Sequence, residues 1–311
     1  MALKFLAEGE RLDQAVARFA GVSRTKAKAW IEAGHVRVAG QVVRKPAYRL
    51  RGETVVVERP PEPPLRVEPE ERALAVLYED EDLIVVNKPP GMLTHPAPGE
   101  PTGSLVGALL AYFGQGGIEA ERLEEVRPGI VHRLDRDTSG AIVVAKNPFA
   151  QRRLSAAFKN RFVLKRYLAI TQGVPRAMTL VAPIGRHPVH RHKMHVGGVR
   201  PRYAETDIAV LAEVPGHALV EARPHTGRTH QIRVHLKHLG APILADPLYG
   251  RPHPAMPRQA LHAYELRLPH PASGRFLTFV APVPEDMAAA WERLGGRWPE
   301  GLRLGPARAS A

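Results

Sequence analysis

The chain has 311 residues, with 44 Lys or Arg against 31 Asp or Glu, which leaves a formal net charge of +13. No apolar run approaches the roughly 18 residues that a membrane span needs, and the opening MALKFLAEGERLDQAV meets charge too early for a secretory signal. The lack of cysteine excludes disulfides and thiolate zinc sites and fits a reducing cytoplasm, while the positive excess points to an anionic partner such as nucleic acid.

Taken in chain order, Leu12, Val16 and Phe19 sit at helical spacing. Ser23 is placed to cap a second helix that runs to Ala33 and stops at Gly34. Strand-like runs follow at 35–38, 41–43 and 54–57, punctuated by Gly40 and Gly52. Residues 1–58 carry 11 Lys or Arg and 6 Asp or Glu, a net +5. Arg24, Lys26 and Lys28 cluster at the start of the second helix, where unpaired N–H groups already favour phosphate. Four prolines in five positions after Arg59 predict an extended spacer over 59–72 that separates this module from a body at 73–296 and a frayed tail at 297–311.

In the body, strands are expected at 75–78, 83–88, 141–145, 163–172, 203–211, 219–222, 264–268 and 276–280, and helices at 104–113, 148–160 and 228–239. Strands and helices do not alternate strictly. The expected class is therefore α+β, with a mixed, mainly antiparallel central sheet flanked by helices and a small α+β domain in front.

Between two apolar runs, His132-Arg-Leu-Asp-Arg-Asp-Thr-Ser-Gly140 forms a tight polar loop. Such a loop on a rigid scaffold can display reactive groups. Equally, Asp137, Thr138 and Ser139 can form a turn bonded to their own backbone. The histidines at 187, 190, 192 and 195 stand among Arg186, Arg191, Lys193, Arg200 and Arg202, and residues 183–204 contain no acid. That composition suits an RNA-facing basic loop better than a metal site, and no metal is expected. His225, His230, His235 and His238 read as loop bracing and helix surface. Neither a Walker loop nor Gly-x-Gly-x-x-Gly occurs, so no nucleotide cofactor is expected.

His132-Arg-Leu-Asp135 followed by Asp137-Thr-Ser-Gly140 resembles the signature loop of the RluA-type pseudouridine synthases. Val85–Gly91 with His95–Gly99, Lys165–Ala169, Thr226–His235, Asp246–Gly250 and Leu261–Ala263 resemble the family's other motifs in the expected order. The wording is closest to the RluD-like branch, which acts on large-subunit ribosomal RNA. Arg11–Asp13, Val22–Arg24 and Glu32–Gly40 resemble an S4-type RNA-binding domain.

The resemblance implies a pseudouridine synthase fold and isomerisation of uridine in structured RNA, with 23S ribosomal RNA or its assembly intermediate as partner. It implies no cofactor, no DNA or membrane partner, and a monomer. Asp135 is then the catalytic carboxylate, by attack at C1′, addition at C6 or removal of the 2′ proton. Inside a water-excluding pocket a carboxylate needs a nearby cation to stay ionised. The resemblance assigns this to Arg233, whose guanidinium can grip a carboxylate by two parallel hydrogen bonds.

Tyr167 is expected to stack on uracil and assist removal of the C5 proton, with Ile232 as an apolar wall. Arg133 would fill the space left by the flipped nucleotide, and His132 would brace the loop. Arg228 is the expected phosphate contact, with Arg24, Lys26 and Lys28 binding RNA from the first module. A catalytically silent RNA-binding or ribosome-assembly factor is the alternative on the same fold. A third reading makes Asp135 or Asp137 a phosphoryl nucleophile or Mg²⁺ ligand, which calls for a further acid near the loop.

Overall fold

The computed structural model describes residues 2–60, 67–97, 100, 102–114 and 129–305. The proline stretch 61–66, Pro98, Gly99, Pro128 and residues 306–311 of the expected tail lie outside these. The chain divides into two compact units, Met1–Pro64 and Leu65–Ala311.

The first unit runs β1 (Ala2–Arg11), α1 (Leu12–Ala20), α2 (Arg24–Glu32), β2 (Val36–Val38), β3 (Gln41–Val42) and β4 (Arg49–Glu58), with an antiparallel sheet in the order β1-β4-β2-β3. Leu12, Ala15 and Val16 of α1 and Ala27, Trp30 and Ile31 of α2 pack on Val36, Val38, Val55 and Val57. The Ser23 hydroxyl accepts the Lys26 N–H at 3.2 Å, as the capping pattern predicts. The first strand was not expected. Only Phe5 and Ala7 in it are buried, too few for its alternation to show. Phe19, read as part of the apolar stripe, is instead half exposed and stacks on Phe5.

The second unit begins with β5 (Val76–Glu79), β6 (Leu83–Lys88), α3 (Leu105–Phe113), β7 (Ser139–Ala145), α4 (Pro148–Lys159) and β8 (Leu164–Gln172). It continues with β9 (Met178–Val181), β10 (Ile184–Arg186), β11 (Met194–Val196), β12 (Val199–Arg202), β13 (Glu205–Val214) and β14 (His217–Pro224). The chain then forms α5 (Gln231–His238), β15 (Leu261–Pro269), β16 (Phe276–Val280) and α6 (Glu285–Arg293).

A nine-stranded sheet runs β5-β6-β7-β15-β8-β14-β13-β9, with β16 on β15. All its pairs are antiparallel except β7 with β15, so the α+β, mainly antiparallel expectation holds.

β6 and β7 read as unbroken apolar runs because both faces of the sheet are covered there. Leu83, Val85, Ala141 and Val143 pack on Ala150, Leu154 and Ala157 of α4. The alternate residues Ile84, Val86, Ile142 and Val144 pack on Leu105, Leu109 and Leu110 of α3. This two-sided packing fixes where the loop before β7 emerges.

At its start, Gly140 pairs with Ala263 of β15 at φ 120, and a Cβ there would collide with the Ala263 carbonyl. Gly140→Ala is therefore expected to cost about 2 kcal/mol or more in stability, read as a lowered melting temperature.

Three expectations need correction. The spacer does not extend to Arg72: the Glu70 backbone N–H donates to Gly107, and the Glu70 carboxylate accepts the Gly103 N–H at 2.7 Å. The tail is held as far as Gly305, where Val283 and Arg303, Gly305 and Val283, and Arg303 and the Tyr264 hydroxyl are hydrogen-bonded. Residues 183–204 are not one loop but contain an antiparallel sheet, β11-β10-β12. Among the described residues no helix is long and apolar enough to cross a membrane.

Candidate active site

The loop from His132 to Gly140 is tethered from several sides. Leu134 is buried, and its N–H and carbonyl both meet the Thr94 hydroxyl, at 3.2 and 2.9 Å. Lys88, the buried last residue of β6, donates to the carbonyls of Pro89, Met92 and Arg136 at 2.9, 2.8 and 2.9 Å. Three acceptors need three N–H donors, which is the ammonium form. Burial outweighs the opposing pull of Asp137 and Asp135 and leaves Lys88 lowered to about 7.

On the other side, Arg258 donates to the Asp137 carbonyl at 2.8 Å and is forked onto Asp286. Gln259 donates to the Thr138 hydroxyl, and Ser139 meets His262. The Thr138 and Ser139 hydroxyls therefore bond distant side chains, and the self-bonded turn read for 137–139 is replaced by a braced one. His132 accepts the Val143 N–H at 3.0 Å and stacks on Phe158, and its enclosure lowers it to about 3, so it is a neutral brace.

Asp135 stands at the loop's centre with its side chain 21% exposed, and its Oδ2 accepts from Arg233 Nη1 at 2.8 Å. The predicted pair is present, but its geometry differs from the expectation. The two parallel bonds of Arg233 go to Asp246, from Nε at 2.7 Å and Nη2 at 2.8 Å, and a single bond remains for Asp135. Asp246 is fully buried, and its Oδ1 also accepts the N–H groups of Leu248 and Tyr249.

The fork fixes the guanidinium so that only Nη1 is left to reach the loop. Oδ1 of Asp135 receives no hydrogen bond from the described residues. The further acid called for by the phosphoryl-transfer reading is thus present as Asp246, yet its lone pairs are committed to Arg233 and two backbone amides.

Arg233 reaches this position from the first turn of α5, which starts at Gln231 rather than at the expected Arg228. The Gln231 side chain accepts from the Arg228 N–H and the Thr226 hydroxyl and so closes the preceding turn. His230 adopts a left-handed backbone, φ 56, before the helix. Its Nδ1 lies 2.8 Å from the Tyr249 hydroxyl and its Nε2 4.0 Å from Asp135. Burial lowers the His230 pKa, and Asp135 opposes that shift. The bracing reading holds for His225, which pairs with Asp207, but His235 is buried against Thr206 and Ala182 rather than on the helix surface.

A cavity of about 440 Å³ opens over Asp135, within the range of small-ligand pockets. Arg133, Asp135, Tyr167, Arg228, Ile232 and Arg233 all line it, so the residues predicted in the body converge on one site. Burial, followed by Asp135, raises the Tyr167 hydroxyl above its ordinary pKa, so it is protonated at neutral pH. Arg228 is held by the Tyr203 carbonyl at 2.8 Å, and Arg133 is exposed.

Arg24, Lys26 and Lys28 belong to the other unit. Arg24 is drawn onto the buried Asp13 at 2.9 Å alongside Arg11, Lys26 lies over the Trp30 ring, and Lys28 is 3.6 Å from Glu32. Asp246, His230, Tyr249 and Lys88 are site residues that sequence reasoning missed. For Asp246 and Tyr249 the signal was their shared Asp-Pro-Leu-Tyr-Gly segment.

Residues 82–238 match the RNA pseudouridylate synthase family, and residues 10–56 match the S4 domain. Over 289 residues the chain is 42% identical to an uncharacterized RNA pseudouridine synthase of Synechocystis sp., covering 89% of this chain and 86% of that one. It is 40% identical over 296 residues to the ribosomal large subunit pseudouridine synthase D of Escherichia coli K12, covering 90% and 89%. Among solved structures, human RNA Pseudouridylate Synthase Domain Containing 4 aligns with a TM-score of 0.57 at 28% identity, covering 73% of this chain and 95% of that one. With the braced loop, the Asp135–Arg233–Asp246 relay and the cavity above it, the chain belongs to the RNA pseudouridylate synthase family, an RNA-modifying isomerase that carries an S4 domain.

Proposed function

We propose that this chain isomerises specific uridines of large-subunit ribosomal RNA, with Asp135 as the reacting carboxylate. The observation that carries the reading is the state of that carboxylate. One oxygen is fixed by a clamped guanidinium and the other is uncommitted, beside an aromatic ring in a nucleotide-sized cavity. A base in paired RNA must leave its stack to reach such a site, and the exposed Arg133 two residues before Asp135 is placed to fill the vacated space.

The N1–C1′ bond breaks, C5 joins C1′, and the C5 proton departs as N1 gains one. Atoms and oxidation state are conserved, so the reaction itself calls for no redox cofactor. Arg233 orients Asp135, Ile232 walls the base and Arg228 meets a phosphate. Arg24, Lys26 and Lys28 of the S4 domain contribute to RNA binding.

Tyr167 has two roles in this scheme, which a single substitution separates. Tyr167→Phe keeps the stacking ring, so RNA affinity should stay near wild type. Turnover should fall by about 10²- to 10⁴-fold if the hydroxyl assists proton removal. Single-turnover rates alongside filter binding read both, and unchanged turnover would remove the hydroxyl from the mechanism.

The reading as a whole is tested by incubating the chain with unmodified transcripts of large- and small-subunit ribosomal RNA and mapping pseudouridine. Product at discrete positions of the large-subunit transcript is expected. Product in the small-subunit transcript alone would overturn the substrate assignment.

A further inference from the structure

The cavity contains a cation that the reaction does not use. Lys165 lies two residues before Tyr167 on β8, and both line the cavity. Its ammonium donates to the Thr226 carbonyl at 3.0 Å, and no carboxylate of the described residues lies within ion-pair distance. Among the described residues of this unit, the buried Lys88 has all three N–H groups taken by carbonyls, and three enclosed arginines are matched by carboxylates. Arg233 meets Asp246 and Asp135, Arg258 meets Asp286, and Arg166 meets Glu221 and Glu265. Enclosure alone pushes Lys165 down to about 8, with no opposing acid.

A charged amine shielded from water without a counter-ion is costly, and an anionic ligand removes that cost. Asp135 is the one carboxylate among the described residues lining the cavity, and Arg233 already pairs with it. Lys165 shares the wall with Arg133, Lys159 and Arg228, so the lining carries a positive excess that a neutral uracil cannot match. The phosphodiesters on either side of a flipped uridine can.

We propose that Lys165 binds a backbone phosphate of the flipped nucleotide, an anion subsite within the catalytic cavity that draws the nucleotide in and holds it over Asp135. The inference rests on the proposed uridine isomerisation. A purely structural role, clasping β8 to the Thr226 segment, needs a donor but not a charge, and this separates the two.

The test uses a stem-loop RNA built around a mapped target uridine and follows kcat/KM against KCl concentration. Lys165→Gln keeps a donor for Thr226 and removes the charge. It should lose about 10- to 100-fold in kcat/KM, and the slope of log(kcat/KM) against log[KCl] should become shallower by about 0.7 to 0.9. Lys165→Arg should keep the wild-type slope, and melting curves of both variants should stay close to wild type. A Lys165→Gln protein with the wild-type slope overturns this inference alone, whatever its rate. A wild-type chain that isomerises no uridine overturns the reaction and this subsite together.

Discussion

Asp135→Asn is expected to lower the single-turnover rate of pseudouridine formation by about 10⁴-fold while leaving RNA affinity and melting temperature near wild type. The substitution is nearly isosteric, and the amide oxygen can still accept from Arg233 Nη1. Arg233 itself stays in place because its fork is on Asp246, and the loop stays in place because Lys88, Thr94 and Arg258 hold its backbone. Only the nucleophilic or basic carboxylate is lost. Filter binding beside the rate measurement checks the separation. An Asn variant that turns over within about tenfold of wild type would remove Asp135 from the chemistry.

Arg233→Ala carries the second large effect, and the structure changes its character. The sequence resemblance predicts that this variant loses turnover while RNA binding largely survives. In the fold, the removed guanidinium is the partner of a fully buried Asp246, whose charge is then met only by the amides of Leu248 and Tyr249. Breaking a buried pair on one side costs about 3–5 kcal/mol, or about 10 °C in the melting temperature of a unit this size.

Turnover should vanish, and the fold should weaken with it. The double variant Arg233→Ala with Asp246→Ala removes both buried charges. It should recover part of the stability and none of the activity. Thermal melts and turnover on the same preparations separate the two roles of the guanidinium. Activity regained in the double variant would contradict the assignment of Arg233 to Asp135.

The elements nearest the site were the easiest to read in the sequence. β6 and β7 are apolar on both faces, and α3 and α4 carry Ser104 and Asn147 as caps. The signature loop is bracketed by such elements. What escaped was structure whose cause lies elsewhere in the chain. The short strands β10 to β12 expose nearly all their Arg and His side chains, so they have no apolar alternation to detect.

The start of α5 was misplaced because His230 takes a left-handed backbone without being glycine. Asp246 lies thirteen residues from Arg233, and nothing local marks it as the partner that takes the fork. Lys88 read as the polar end of a strand, whereas its three carbonyl acceptors come from two separate segments. The long-range pair of Asp135 with Arg233 was legible because the family resemblance supplied both partners. Pairings that the resemblance did not assign, such as Asp246 for the fork, were hidden until the fold brought them in.

If one carboxylate, oriented by Arg233, performs the isomerisation, its removal must abolish product without releasing the RNA. The decisive measurement maps pseudouridine in an unmodified large-subunit ribosomal RNA transcript after incubation with the wild-type chain or with Asp135→Asn. The same discrete uridines should be converted in every wild-type reaction and none by the variant, at equal RNA occupancy. Conversion of those uridines by the Asn variant at a rate near wild type would contradict that role of Asp135.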